Sequence, residues 1–493
     1  MVVVPRSELR ALEAEGAQLR RELEQLRAEN GELRAANAAL EIRVTGLVTL
    51  GANLQAQLNE LAARLGTNSR NSSKPPSSDR TGVPPRGRGK TKDRARGGQT
   101  GHTAKQRSLV PADQVTSSET LKPPNCRACG AKLDGDDPEP LIHQVIDIPR
   151  QTLTVAQYKL HRLRCSCGVT TCATLPTGVS PSHFGPRLHA LVATGVGQFR
   201  LSKRTVVALL ELIYGLKLGV GTVCRIEHRV SAALAVPVAE VKTFLRRARW
   251  AHADETVWRL MRNRAWLWMA ATAEVAAFWI RRRRGSEVSK EMLGEAFDGV
   301  LCTDRYSAYN WVARRALCWA HLVRDFTAMI ERHGGPWHGH MLRHLAGRIL
   351  RDWASWHTGE IDRATLLEHV APLRARFEEV LGWAAANAPG PQAQGIARDL
   401  AGRTDELWRF LDDESVAPTN NLAERLLRYA VILRKLTYGS DSLAGSLYME
   451  RLLTTAATLG PQKRNLFDYL TDAMTAHFAA QPVPSLLPVR SDP

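Results

Sequence analysis

Leucine recurs at every seventh residue near the start of the chain, at Leu12, Leu19, Leu26, Leu33, Leu40, Leu47, Leu54 and Leu61. The other seam position carries Leu9, Leu23, Val44, Leu58 and Leu65, with Asn30 and Asn37 in the same row. Apolar a and d positions sustained over this many heptads predict a coiled-coil helix over residues 7 to about 65. An Asn at an a position helps set register and a dimeric state, at some cost in stability. Gly16 and Gly51 fall in that row too and weaken the helix locally. The alternative is a long amphipathic helix folded back on its own chain, but the strict seven-residue repeat favours self-association.

The apolar pattern then stops. Residues 66 to about 120 are polar, proline-punctuated and too poor in apolar residues to fold alone, so they predict a linker. Within it Arg86, Arg88, Lys90, Lys92, Arg94 and Arg96 form a basic tract able to neutralise phosphates without reading sequence. Helical periodicity returns over residues 185 to about 240. One apolar stripe runs from Arg204 to Tyr214, a glycine-rich break follows, and a second stripe resumes at Thr222, which can cap it. Arg225 and Arg229 lie four apart on one face of that second helix, a pattern that allows a helix-turn-helix contact with DNA.

From Arg249 the period shortens to that of strands. Trp250–Asp254, Ala265–Thr272 and Val275–Ile280 predict a meander, Ser289–Phe297 a helix, and Gly299–Asp304 a short buried strand ending in an acid. Ala316–Ala320 is a further strand candidate. Three strands, a helix, then a strand with Asp at its end fit an α/β sheet of the RNase H-like kind, with Asp254 and Asp304 as neighbours. Residues 327 to about 415 are helical, rich in Arg and Trp, and read as an insertion that leaves the core intact. Beyond them Asn420 or Asn421 can cap a helix that carries Glu424 one turn inside and Arg428 four residues further on.

Charge sharpens this picture. A net charge of +18 over 493 residues favours a polyanionic partner, nucleic acid first. No run of about 18 apolar residues occurs and the N-terminus lacks a signal-peptide pattern, so a cytoplasmic, nucleoid-associated protein without membrane contact is expected. The eight cysteines are then free thiols or metal ligands rather than disulfides. Cys126 and Cys129 have zinc-knuckle spacing, and Cys165 with Cys167 supplies a second, shorter pair after strand-like sequence from Gln151 to Leu160. Together they read as a small zinc-ribbon-like module with a structural Zn²⁺, in which Cys172 or His161 are alternative ligands.

Asp254, Asp304 and Glu424 are the candidate catalytic residues. The first two follow short apolar segments and are expected at strand ends, and the third sits on a helix. Three carboxylates brought together can hold two Mg²⁺ or Mn²⁺ ions about 3.5–4 Å apart, the arrangement for in-line attack on a phosphodiester. Asp254 would bridge both ions, with His321 and Arg428 orienting the acids or contacting phosphate. A satisfied core histidine is an equal reading of His321.

The chain resembles the insertion sequence 66 family of transposases. The resemblance runs over nearly the whole chain: Leu65–Asp79, Gly98–His102, the paired cysteines, His252–Trp258, Thr303–Asn310, Cys318–Asp325, Thr419–Arg425, Leu436–Ser440 and the region of Leu466–Leu470, in family order. It implies an Asp-Asp-Glu catalytic domain in which Asp254, Asp304 and Glu424 bind the metals. It also implies partners, namely terminal inverted repeats, target DNA and often two small accessory proteins of the same element. Arg305 departs from the family's usual Gly, and the second cysteine pair is shorter than usual. The expected domains are a coiled coil (1–65), a basic linker (66–120), a zinc module (121–180), a helix-turn-helix-like DNA-binding region (181–245), a catalytic domain (246–435) and a C-terminal helical region (436–493). The expected activity is metal-dependent cleavage and strand transfer. An inactive DNA-binding derivative and an RNase H-like nuclease without strand transfer are the alternatives.

Overall fold

The computed structural model describes residues 6–66, 107–332 and 337–488. The basic tract from Arg86 to Arg96 lies outside the described residues. The chain divides into two compact units, Met1–Gly87 with Thr327–Gly335, and Arg88–Phe326 with Pro336–Pro493. In the first, the heptad stretch is one helix, α1 (Arg6–Gly66), about 90 Å long at 1.5 Å per residue. Its seam stands open: Leu19, Leu26, Leu33, Leu40, Leu47 and Leu54 are all more than half exposed.

The second unit begins with little regular structure. Residues 151–160, expected as strand-like, are irregular. The paired strands lie further on, β1 (Arg162–Arg164) and β2 (Thr170–Cys172), antiparallel across the second cysteine pair. The turn decides this: Gly168 sits at φ +90°, and the Cys165 and Gly168 amides close hydrogen bonds with Val169 and Cys165 carbonyls. That reversal starts the ladder at its own flanks.

Four helices follow, α2 (Pro186–Gly197), α3 (Lys203–Tyr214), α4 (Val220–Ala233) and α5 (Ala235–Arg246). The Ser202 hydroxyl accepts from the Thr205 amide to cap α3, and left-handed Gly215 ends it. The cap expected at Thr222 is not there. Gly219 holds the N-cap of α4, and Thr222 lies in the first turn with its hydroxyl accepting from Arg225 Nη2 at 3.0 Å.

The sheet has order β5-β4-β3-β6-β7. β3 (Trp250–Leu260), β4 (Asn263–Ala271) and β5 (Ala276–Arg281) form the expected antiparallel meander. β6 (Val300–Thr303) runs parallel to β3, and β7 (Arg315–Leu317) parallel to β6. The crossover helix α6 (Ser286–Leu293) starts and stops earlier than the pattern suggests, because Gly294 at φ +84° ends it.

After β7 come α7 (Trp319–Arg332), α8 (Trp337–His357), α9 (Arg363–Asn387), α10 (Pro391–Ala401) and α11 (Thr404–Asp412). This is the helical insertion, and it is joined to the sheet domain through Trp319. The indole donates to the Leu407 carbonyl at 2.9 Å and packs on Trp408, Phe377 and Phe410 with ring centroids 5.1–5.6 Å away. The chain closes with α12 (Asn421–Thr437), α13 (Leu443–Leu459) and α14 (Leu466–Phe478). Among the described residues no helix is long and apolar enough to cross a membrane.

Period-two alternation sorts the sheet into two faces. Trp258, Leu267, Met269 and Phe278 pack against Ala423, Leu427, Ala430 and Leu433 of α12. Ala253, Trp268, Ala270 and Trp279 point into the core shared with α2, α4, α5 and α6. The edge of β5 is covered in an unusual way. Glu450, Thr454 and Thr458, one per turn of α13, accept from the amides of Ile280, Phe278 and Ala276 at 2.8–3.1 Å. An exposed edge would leave those amides free to pair with another chain.

After α12 the chain touches the tip of the β3–β4 hairpin. The Met261 amide donates to the Ser440 carbonyl at 2.8 Å, and the Ser440 amide to the Arg259 carbonyl at 2.9 Å. Gly439 permits this at φ +105°, where a β-carbon would lie 2.3 Å from the Arg259 carbonyl oxygen. Gly439→Ala is therefore expected to lower the unfolding free energy by about 1–3 kcal/mol, measured by denaturant titration. An unchanged midpoint would contradict this close approach.

Candidate active site

The sheet register places the first two acids. His252 of β3 pairs with Cys302 of β6, so Asp254 and Asp304 each lie two residues beyond that pair, on adjacent strands. Asp304 follows β6 directly, as expected. Asp254 does not end its strand. It lies inside β3, which continues to Leu260 because β4 pairs with it as far as the hairpin turn. What ends near Asp254 is the parallel pairing, and the two acids stand on neighbouring strands where β3 and β6 part. Each is oriented by local backbone: the Glu255 amide donates to Asp254 Oδ1 at 2.8 Å, and the Tyr306 amide to Asp304 Oδ1 at 2.9 Å.

Asn420 brings the third acid in. It occupies the N-cap position of α12, but its side chain does not cap the helix. Its Oδ1 bonds His252 Nδ1 at 2.8 Å, its Nδ2 donates to the Ala253 carbonyl at 2.8 Å, and its amide donates to Cys318 Sγ at 3.1 Å. One buried residue thus ties the start of α12 to β3 and to the β7–α7 junction. Glu424, whose amide donates to the Asn420 carbonyl, follows one turn along. Burial holds the His252 imidazole down at about 4, so the ring is neutral at pH 7.

The acids feel one another. Burial, then the charges of Glu255 and Asp304, push the Asp254 carboxyl well above the usual carboxylate range, with Glu424 adding to the effect. Glu255, which sequence reasoning passed over, is buried on the opposite face of β3. Arg284 Nη2 reaches its Oε1 at 2.6 Å and the Tyr309 hydroxyl donates to Oε2 at 2.8 Å. Burial, followed by Asp304, raises its carboxyl too, against the pull of Arg284. The signal for it was available: odd and even positions on a strand face opposite ways, and a four-arginine run begins at the last residue of β5.

Arginines from elsewhere brace the loops around Asp304. Arg305 donates to Asp325 at 3.0 Å and to Asp399 of α10 at 2.7 Å. Arg315 is 1% exposed and donates to the Asp304 carbonyl at 2.8 Å and to Asn310 at 2.7 Å, with Glu406 of α11 3.8 Å away. The insertion is therefore more than a passenger, since its Asp399 and Glu406 balance the charges of these arginines.

His321 lies in the first turn of α7 with Nδ1 3.7 Å from Glu424 Oε1, and Arg324 Nη2 is 3.4 Å from the same oxygen. Burial and then Arg324 lower the His321 pKa, so its ring is neutral near pH 7. Glu424 thus takes its ion-pair partner from α7, while Arg428 of its own helix is exposed. Cys318, another residue the sequence left unassigned, is buried, and its thiol is pushed up to about 11 by that burial. Among the described residues, Cys318, His321 and Glu424 are donors that lie within 4.8 Å of one another.

The remaining candidates lie apart from this cluster in sequence. Cys126 and Cys165 each begin a tight turn closed by a glycine, Gly130 at φ +75° and Gly168 at φ +90°. The amides of Cys129 and Ala128 donate to the Cys126 sulfur, and that of Cys167 to the Cys165 sulfur, holding both thiols below their usual range. Cys129, Cys165 and Cys167 are exposed. Arg225 is exposed on α4 and Arg229 partly buried.

Fold and site together define a mixed α/β protein with carboxylates gathered where a central antiparallel meander meets two parallel strands. Residues 181–447 match the family model described as Transposase IS66 family, and the chain belongs to that family of DNA transposases. Residues 12–108 match a family of unknown function (DUF6444). No curated protein matches the chain.

Asn420→Ala would strand the His252 ring nitrogen and the Ala253 carbonyl in the interior. The expected loss is about 1–3 kcal/mol of unfolding free energy for each group left unpaired. Thermal melts would read it, and a variant melting with the parent would contradict the clamp.

Proposed function

We propose that this chain is a DNA transposase that cleaves DNA at the ends of an insertion sequence and transfers the freed strands to target DNA. One observation carries the reading: in a chain of this family, sheet register and the Asn420 clamp converge Asp254, Asp304 and Glu424 into one electrostatically coupled group. The strand order, three antiparallel then two parallel with a crossover helix, supports an RNase H-like catalytic domain over 246–435.

The residues fit a pair of hard divalent ions. Their donors are carboxylate oxygens, which suit Mg²⁺ or Mn²⁺, and the burial and mutual repulsion that raise the Asp254 carboxyl are what a bound cation offsets. Asp254, Asp304 and Glu424 would hold the ions, which supply activation of the attacking oxygen and charge stabilisation of the leaving 3′-oxygen. The chain itself does the positioning. Asn420 holds α12 against β3, Arg324 orients Glu424 with His321 packed beside it, and Arg284 with Tyr309 keeps the charge of Glu255 occupied on the far face. Arg428, exposed on the helix that carries Glu424, is a phosphate contact.

The other modules present DNA to this centre. Cys126, Cys129, Cys165 and Cys167 hold a structural Zn²⁺, a reading supported by their two glycine-closed turns with amides aimed at sulfur. Arg225, Arg229 and the tract from Arg86 to Arg96 contact the backbone of the terminal inverted repeats. The open seam of α1 pairs with a second copy of the chain, so that two ends are processed together. Two small accessory proteins of the same element complete the set of partners.

Asp254→Asn is expected to abolish nicking and joining of a plasmid bearing element ends, by at least about a thousandfold, while end binding persists. Normal joining by that variant would remove the central claim. Tight end binding by the parent chain without any nicking would instead mark an inactive DNA-binding derivative, and cleavage without joined products a nuclease. For the α1 seam, Leu26→Asp combined with Leu33→Asp is expected to reduce the sedimentation mass to that of one chain. An unchanged mass would place self-association elsewhere.

A further inference from the structure

The three donors around Glu424 do not match the hard ions assigned to the acids. Cys318 offers a thiol, His321 an imidazole and Glu424 a carboxylate, all within 4.8 Å of one another. Thiolate and imidazole select borderline ions of the zinc class, whereas Mg²⁺ prefers oxygen alone. A tetrahedral Zn²⁺ with ordinary bond lengths spaces its donors about 3.3–3.6 Å apart. His321 Nδ1 and Glu424 Oε1 already stand at 3.7 Å.

The sulfur already takes one polar contact: the Asn420 amide donates to it at 3.1 Å. His321 Nδ1 is buried without a hydrogen-bond partner. Cys318 itself is 1% exposed, but the side chains of His321 and Glu424 keep 26% and 31% of their surface, so an ion can approach from their side.

We propose that Cys318, His321 and Glu424 form a second metal site, selective for a zinc-class ion, whose occupation withdraws Glu424 from the catalytic carboxylates and switches the enzyme off. On binding, the S–H bond of Cys318 breaks, its proton passes to solvent and a sulfur–metal bond forms, with no change of oxidation state. Three protein ligands leave a fourth position for water. Arg324, 3.4 Å from Glu424, is the group the ion must displace. The inhibitory consequence rests on the reading of Glu424 as a catalytic acid, whereas the site itself does not.

Cobalt(II) is the probe, because a thiolate bound to it absorbs in the near ultraviolet. The cysteines of the N-terminal module bind cobalt as well, so the measurement is a difference between full-length proteins. The parent chain is expected to bind one more equivalent of Co²⁺ or Zn²⁺ than Cys318→Ser and to show a larger charge-transfer band. His321→Gln, a milder change at a partly exposed position, is expected to weaken that equivalent by about 100-fold or more, since losses of outer-shell partners alone cost 10–100-fold. Zn²⁺ added over saturating Mg²⁺ is expected to inhibit plasmid nicking by the parent, and excess Mg²⁺ to restore it. Equal stoichiometry and equal spectra in the parent and both variants overturn the site. An extra equivalent that binds without inhibiting overturns the switch. Asp254→Asn keeps the spectroscopic band in either case, so its joining activity tests the transposase reading separately.

Discussion

Asn420 is the residue on which the arrangement depends. Its side chain and backbone make three buried hydrogen bonds, to a strand histidine, a strand carbonyl and a cysteine before the next helix. Groups separated by more than 160 residues of sequence are held in one place by it. A buried amide with every group satisfied is rigid, because each alternative arrangement leaves an unpaired polar atom in the interior. The position of Glu424 relative to the strand acids follows from that rigidity rather than from helix propensity.

Charge is organised around the same point. Burial and like charges gathered in one place are both costly to a carboxylate, and the raised carboxyl of Asp254 expresses that cost. The fold distributes it over two faces of β3. Glu255 turns away and is neutralised by Arg284, while Glu424 is met by Arg324. The arginines bracing the Asp304 loop are balanced in turn by Asp399 and Glu406 of the inserted helices. The inserted helices thus help to hold the loop that carries Asp304.

Much of this was legible along the chain. The heptad leucines announced α1, and alternating apolar residues announced the meander, since both periods report a buried face directly. Asp254, Asp304 and Glu424 stood out as acids next to such segments. Less legible were the strand at 151–160 and the cap at Thr222, where glycine turns overrode the local pattern. Asn420 was recognised as a helix start but not as a clamp. Its partners at His252, Ala253 and Cys318 come from elements whose proximity no local pattern encodes.

By itself, then, the sequence determined most of the elements, the polarity of each face and which acids are candidates, because these depend on periodicity and residue chemistry within a few positions. Only the tertiary structure decided that Asp254 lies inside a strand rather than at its end, that Glu424 pairs with α7 and not with Arg428, and that Cys318 and His321 lie within 4.8 Å of its carboxylate. Those outcomes rest on parallel register and on long-range hydrogen bonds. Their partners are selected by packing, and packing is a property of the whole fold.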